Sequence, residues 1–282
     1  MRSCIDPPAR SVRLCIIHCR ASALQNGGGT ALRLEGKRAV VTGAAGGIGS
    51  AIARGLADEG AAVACLDLHE AGVQEVAGSL SAVGARAWGW RCDVTDPADV
   101  DAAAARSVEL MGGIDILCAN AGGSQGEMIP FLDLDLDTFR RMIERNLTSV
   151  FLCCSAFGRQ MAKDGGGAIV VTSSQLAEIV RPGMGHYAAA KGGVKQLVKA
   201  MAVDLSPVGI RVNAMAPGPT LTPGNKEMFE RPEVREANLR TIPLGRIAEP
   251  DEMVGAVIYL ASDEATFTTG ATILVDGGYT IL

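Results

Sequence analysis

From residue 37 onward, short continuous apolar runs alternate with longer stretches in which apolar residues return every three or four positions. The short runs predict strands over 39–41, 62–66, 85–91, 114–118, 168–172, 210–214 and 272–275. The longer stretches predict helices over 48–59, 71–83, 97–111, 135–161, 186–206 and 251–261. Strands that are apolar at successive positions are buried on both faces, so the repeated βα units imply a parallel sheet with helices on either side. Right-handed crossovers then make the α/β sheet doubly wound, with its ligand crevice at the carboxyl ends of the strands. The expectation is one Rossmann-type domain over 34–282. Residues 1–33 show no sustained period, end in Gln25-Asn26-Gly27-Gly28-Gly29-Thr30, and are expected to be a disordered or loosely attached extension.

Composition narrows the function classes. The chain carries a net charge of −5, but residues 1–34 hold five Arg against one Asp, which leaves the body at −9. A body so acidic argues against binding nucleic acid or an anionic membrane surface. No apolar run approaches the length of a bilayer span. Of the eight Cys, five (Cys65, Cys92, Cys118, Cys153 and Cys154) fall in or beside apolar runs, as buried free thiols of a reducing, cytoplasmic compartment do. Cys15, His18 and Cys19 lack a second Cys or His pair at ligand spacing downstream, so no metal is expected.

The candidate chemistry lies at the ends of the predicted strands. The first strand runs into Thr42-Gly43-Ala44-Ala45-Gly46-Gly47-Ile48-Gly49 and then a helix, where glycines let the backbone approach a pyrophosphate favoured by the helix N-terminus. Asp67 ends the second strand, placed to accept from the ribose hydroxyls of an adenosine and to repel a 2'-phosphate; Leu68 and His69 follow in place of a basic residue. A helix N-cap is the plainer reading of Asp67. Asp93 and Val94 end the third strand and Asn120-Ala121-Gly122 the fourth, with small residues that permit close approach. Asn146 lies inside the helix that follows, where an Asn usually satisfies a local backbone group. Ser174 ends the fifth strand, thirteen residues before Tyr187. Tyr187 and Lys191 stand one turn apart on a helix whose buried face is marked by Val194, Leu197, Val198, Met201 and Leu205. An ammonium about 4 to 6 Å from a phenol favours the phenolate, so the spacing predicts a Tyr187 pKa below its ordinary value near 10.

These residues, in this order, resemble the short-chain dehydrogenase/reductase family over about 34–282. The resemblance rests on Thr42 to Gly49, Asp93-Val94, Asn120-Ala121-Gly122, Asn146, Ser174, Tyr187-x-x-x-Lys191, Asn213 through Pro217-Gly218, and Val275-Asp276-Gly277-Gly278. It implies a catalytic tetrad of Asn146, Ser174, Tyr187 and Lys191. In that scheme Tyr187 is the general base in oxidation and acid in reduction, Lys191 lowers its pKa and binds the nicotinamide ribose, Ser174 orients the substrate oxygen, and Asn146 holds a relay water. It implies that Gly43, Gly47, Ile48, Gly49, Asp67, Leu68, Asp93, Val94, Asn120, Ala121 and Gly122 line the cofactor, with Pro217, Gly218 and Thr222 cradling its nicotinamide end. A homotetramer is implied as well. Ala119 departs from the second Asn many members carry.

NAD(H) rather than NADP(H) is the expected cofactor, from Asp67 and the neutral Gly46. The leading function is dehydrogenation of a secondary alcohol, whether a cyclic alcohol, a diol or a polyol. A 3-oxoacyl carrier-protein reductase is the alternative, against which stand Asp67 and the lack of a basic docking patch. A catalytically idle nucleotide sensor stands further off, because the whole tetrad is present. The substrate walls are expected in 175–186 and 224–240, which bring Gln175, Met184, His186, Lys226, Met228, Phe229, Arg231, Arg235 and Arg240.

Overall fold

The computed structural model describes residues 32–282 except Gln125. The predicted extension and the Cys15–His18–Cys19 group therefore lie outside the described residues, save Leu32 and Arg33. Those two sit on the body, where the Arg33 guanidinium pairs with Glu59.

Seven strands form the sheet: β1 (Arg38–Thr42), β2 (Ala62–Asp67), β3 (Ala87–Arg91), β4 (Ile116–Ala119), β5 (Gly167–Thr172), β6 (Ile210–Pro217) and β7 (Thr272–Val275). Their order is β3-β2-β1-β4-β5-β6-β7 and every neighbouring pair is parallel. The helices are α1 (Gly47–Asp58), α2 (Glu70–Ala82), α3 (Pro97–Met111), α4 (Leu136–Ile143), α5 (Ser149–Lys163), α6 (Gly185–Leu205), α7 (Lys226–Glu230), α8 (Pro232–Leu239) and α9 (Val254–Ala261). Strand alternation splits the core in two. Val40, Ala64 and Leu66 face Val100, Val150, Phe157 and Val194 from α3, α5 and α6. Ala39, Val41, Val63 and Cys65 face Ile52, Leu56, Val73 and Val257 from α1, α2 and α9. The doubly wound sheet is thus as the apolar runs imply, and its strand order reverses between β1 and β4, where a crevice opens at the carboxyl edge.

Three elements depart from expectation. The helix over 135–161 is interrupted: α4 and α5 are joined by a π turn, Glu144–Thr148, whose added residue leaves the apolar pattern intact. Asp135 is the N-cap of α4, accepting from Thr138 N at 2.9 Å. The helix over 251–261 begins as a 3-10 turn, Pro250–Met253, before α9. Finally, 224–240 folds into α7 and α8, which the sequence pattern does not mark because charged residues outnumber apolar ones there. Among the described residues no helix is long and apolar enough to cross a membrane.

Candidate active site

At the end of β1 the glycine turn is packed too closely for side chains. A Cβ on Gly43 would stand 2.8 Å from Ala121 Cα, and one on Gly49 would stand 1.9 Å from Gly43 O. Gly43 and Gly47 also hold φ of 68° and 55°, which L side chains rarely adopt. No acidic residue lies in the first turn of α1, and Gly46 at its N-cap offers no side chain to the first N–H groups. A backbone cradle of this kind, with donors left to an outside acceptor at a helix N-terminus, fits a dinucleotide pyrophosphate. Ile48 packs at the edge of the core beneath it.

Asp67 stands at the end of β2 beside this cradle. One carboxylate oxygen accepts from Ala45 N (3.1 Å) and the other from His69 N (3.0 Å). The N-cap of α2 is His69, so Asp67 is not a cap; it braces the glycine turn and keeps lone pairs on both oxygens. Leu68 beside it is exposed. The Asp93 carboxylate is occupied by Thr95 N (3.0 Å) and Thr95 Oγ1 (2.7 Å), which holds it below the usual carboxylate range. Asp93 therefore shapes the turn after β3, with Val94 packed on the core.

A hydrogen-bonded chain crosses the strand ends from the glycine turn to α6. Thr42 Oγ1 accepts from Asn120 N (3.0 Å) and Ala121 N (3.1 Å), and Asn120 Nδ2 donates to Thr42 O (3.1 Å). Thr172 Oγ1 donates to Asn120 Oδ1 (3.0 Å), and Lys191 Nζ donates to Thr172 O (3.0 Å). Asn120 thus locks β1, β4 and β5 at one level and sets the carbonyl that receives Lys191. Neither Thr172 nor this use of Asn120 is marked by spacing, because the partners stand 52 and 78 residues apart.

Asn146, fully buried in the π turn, clamps the loop after β4. Its Oδ1 accepts from Gly123 N (2.8 Å), while Nδ2 donates to Gly123 O (3.2 Å) and Met142 O (3.2 Å). A Cβ on Gly122 would lie 2.7 Å from Asn146 Oδ1, so the glycine is what admits the clamp. The π turn packs against α6, with Leu147 on Gly193.

Ser174 is buried at the end of β5, and its Oγ accepts from Leu176 N (3.1 Å). Its hydroxyl also acts on the Tyr187 phenol, opposing the effect of burial there. Lys191 Nζ lies 5.8 Å from the Tyr187 ring centroid. Tyr187 titrates opposite to the sequence expectation. Burial pushes the Tyr187 phenol up to about 12, with the Ser174 hydroxyl opposing it, and burial pulls Lys191 down to about 8. The spacing delivers the ammonium to the ring, but Lys191 is turned onto Thr172 O and desolvated, and desolvation of the phenol wins.

Pro217 ends β6 opposite Val275, and a Cβ on Gly218 would stand 2.6 Å from Asp276 Cα. Asp276 accepts from Gly278 N and Thr280 N, both at 2.9 Å, while Asn213 ties β6 to the chain before β7 through Thr268 O (2.8 Å) and Ala271 N (3.0 Å). Both are scaffold residues. Thr222 returns to the glycine turn, its Cγ2 3.1 Å from where a Gly47 Cβ would be. On the substrate side, Gln175 and Met184 are buried, and Arg181 donates to Asn238 Oδ1 on α8 (3.2 Å). His186 is fully buried; its Nε2 lies 4.0 Å from the Glu127 carboxylate, and neither ring nitrogen is hydrogen-bonded among the described residues.

The chain is similar in sequence and fold to known proteins along nearly their whole length. A family model described as enoyl-(acyl carrier protein) reductase matches residues 43–280. Over 242 residues the chain is 45% identical to cis-4-hydroxycyclohexanecarboxylate dehydrogenase of Sinomonas cyclohexanicum, covering 86% of this chain and 96% of that one. It is 40% identical to D-threitol dehydrogenase of Mycolicibacterium smegmatis over 249 residues, covering 88% and 95%. Among solved structures, 7 alpha-hydroxysteroid dehydrogenase complexed with NADH and 7-oxo glycochenodeoxycholic acid superposes with a TM-score of 0.84 at 36% identity, covering 88% of this chain and 96% of that one. Likeness of this extent, in sequence and in fold together, makes the chain a member of the short-chain dehydrogenase/reductase family.

Proposed function

We propose that the protein is an NAD(H)-dependent dehydrogenase that interconverts a secondary alcohol and its ketone, with a cyclic alcohol or a polyol as substrate. The observation that carries this reading is the meeting of Ser174, Tyr187 and Lys191 at the end of β5, tied through Thr172 and Asn120 to the glycine turn. The relatives named above act on a ring alcohol and on a tetritol, which supports the substrate class. The nicotinamide, when bound, supplies the acceptor or donor of the hydride. Ser174 Oγ–H donates to the substrate oxygen and fixes its position. Tyr187 Oη takes the proton of that oxygen in oxidation and returns it in reduction, so alcohol and NAD⁺ give ketone, NADH and one proton. Lys191 supplies the positive charge that steadies the tyrosinate. Asn146 holds the loop over Gly122 and Gly123 as a wall of the site, and Gly43, Gly47, Gly49, Asp67, Pro217, Gly218 and Thr222 would hold the cofactor.

The preference for NAD(H) rests on Asp67, whose carboxylate ends β2 with no Arg or Lys at 68 or 69. Asp67→Ala is expected to lose ~1–3 kcal/mol of NADH binding, as a half-buried acceptor is removed and its two backbone partners are left without it, and to bring NADPH affinity level with it. Fluorescence titration of both dinucleotides against both proteins checks this; tighter NADPH binding by the wild type would overturn it.

Function is tested by a panel of secondary alcohols, ring alcohols and polyols first, with NAD. Turnover of at least one supports the reading, while turnover of 3-oxoacyl thioesters alone would replace it with the reductase alternative. We also propose a homotetramer in a reducing cytoplasm. Exposed Phe151 on α5, Val203 on α6, and Phe267, Ile281 and Leu282 near β7 call for cover. Five buried free thiols suit such a compartment, with Cys65, Cys92, Cys118 and Cys154 pushed up to about 12 by burial. Light scattering at micromolar concentration is expected to return four times the chain mass; the mass of a single chain would contradict it.

A further inference from the structure

In the stretch after β6, Thr220-Leu221-Thr222-Pro223-Gly224-Asn225, the family resemblance marks Thr222 but gives no role to Asn225. The geometry of that stretch is set by one side chain. Asn225 occupies the N-cap position of α7, yet its side chain makes no cap hydrogen bond. Instead Oδ1 accepts from Thr222 N at 2.7 Å and Nδ2 donates to Thr220 O at 2.8 Å, while Asn225 N donates to Thr222 O at 3.0 Å. The base of the loop is held separately, by Leu221 N on Ala248 O (2.8 Å) and Ala248 N on Pro219 O (3.0 Å). The tip therefore depends on Asn225 alone among these contacts. That tip is Thr222, which rests on Gly47 across the phosphate cradle. On its other side the Asn225 carbonyl accepts Phe229 N (3.1 Å), and Phe229 is buried against Ile242, Ile247 and Tyr279.

We infer that Asn225 is a positioning residue for the cofactor: it sets Thr222 over the glycine turn and joins the α7–α8 segment to it. This rests on the nicotinamide-dinucleotide reading of the site. An amide is suited to the position because the loop asks for one acceptor and one donor from the same short side chain. Asp lacks the donor, and Ser carries donor and acceptor on a single oxygen one bond nearer the backbone, which cannot stand where both amide atoms do. The residue acts on the pyrophosphate and nicotinamide half of a dinucleotide, and leaves the adenosine half to Asp67.

The test is calorimetric titration of NADH and of AMP, which carries only the adenosine half, into wild type, Asn225→Ala and Asn225→Ser. Loss of the two side-chain hydrogen bonds is expected to weaken NADH binding on the order of tenfold in Asn225→Ala, with Asn225→Ser between it and wild type and AMP binding unchanged in both. Asn225→Ser carries the test if thermal melts show Asn225→Ala to be unfolded. Unchanged NADH affinity overturns the inference, as does an equal loss for NADH and AMP, which marks a general loosening of the fold. Wild type that binds neither NADH nor NADPH overturns the dinucleotide reading itself, and the inference with it. Wild type that binds NADH while the variants match it overturns the inference alone.

Discussion

Tyr187→Phe is expected to lower kcat by roughly 10²–10⁴-fold while leaving the affinity for NADH and the melting temperature close to wild type. The variant removes one hydroxyl and keeps the ring that packs at the start of α6. What it removes is the group that exchanges a proton with the substrate oxygen, and the Ser174 hydroxyl that acts on it has no basic function to replace it. The pH profile distinguishes this loss from a distorted site. Burial holds the phenol at about 12, so below that value the fraction in the base form grows tenfold per pH unit. Alcohol oxidation by the wild type is expected to climb with pH, and the residual rate of Tyr187→Phe to lack that slope. Steady-state rates between pH 6 and 8, where Lys191 keeps its charge, measure both; a variant with the wild-type slope would remove Tyr187 from the proton step.

Lys191→Met is expected to be inactive and yet more stable than the wild type at neutral pH. The ammonium is buried, with Thr172 O its one hydrogen-bond partner among the described residues, and burial lowers its pKa from the ordinary 10.5 to about 8. A cation whose folded pKa is depressed is protonated more readily in the unfolded chain, so its contribution to stability rises with pH between about 8 and 10.5 and is at its worst below about 8. At pH 7 this is a cost of ~3 kcal/mol, reduced in the variant by the ~1 kcal/mol lost with the Thr172 bond. Methionine has nearly the length of the lysine stem and no charge to desolvate. Melting curves at pH 7 and pH 10 are expected to show Lys191→Met above wild type at the lower pH, with the gap closing at the higher. A destabilised variant at pH 7 would mean that Lys191 is a structural cation rather than one retained for its charge.

The parts of this protein legible in its sequence are those governed by one-dimensional pattern. Val40 and Val63 belong to runs, 39–41 and 62–66, that are apolar at every position, and such runs exist because both sheet faces are covered. Tyr187 and Lys191 share a helix, so four residues of spacing suffice to bring them together. Contacts made across the sheet edge leave no such trace: Thr172 reaches Asn120 only because β4 and β5 are neighbours, and Asn225 reaches Thr222 through a turn whose Pro-Gly says nothing of its tie to Gly47. The π turn stays hidden because one added residue shifts the helix phase without changing which residues are apolar. Electrostatics was the least legible. Spacing predicts an ammonium near a phenol, but the sign of the shift in Tyr187 follows from how deeply both groups are buried, which depends on the packing of α6 against β6 and the π turn. Asp67 shows the same limit, since its bond to Ala45 N is visible only once the glycine turn has folded back over the end of β2.

The account turns on hydride transfer coupled to a proton handled by Tyr187. The most direct measurement is a single-turnover reaction of wild type and Tyr187→Phe with NAD and a secondary alcohol that the wild type oxidises. Reduced nicotinamide is followed by absorbance and proton release by an indicator dye. The account predicts one NADH, one ketone and one released proton per wild-type site, and no appreciable NADH from the variant on the same timescale. NADH formed by Tyr187→Phe at the wild-type rate would contradict it.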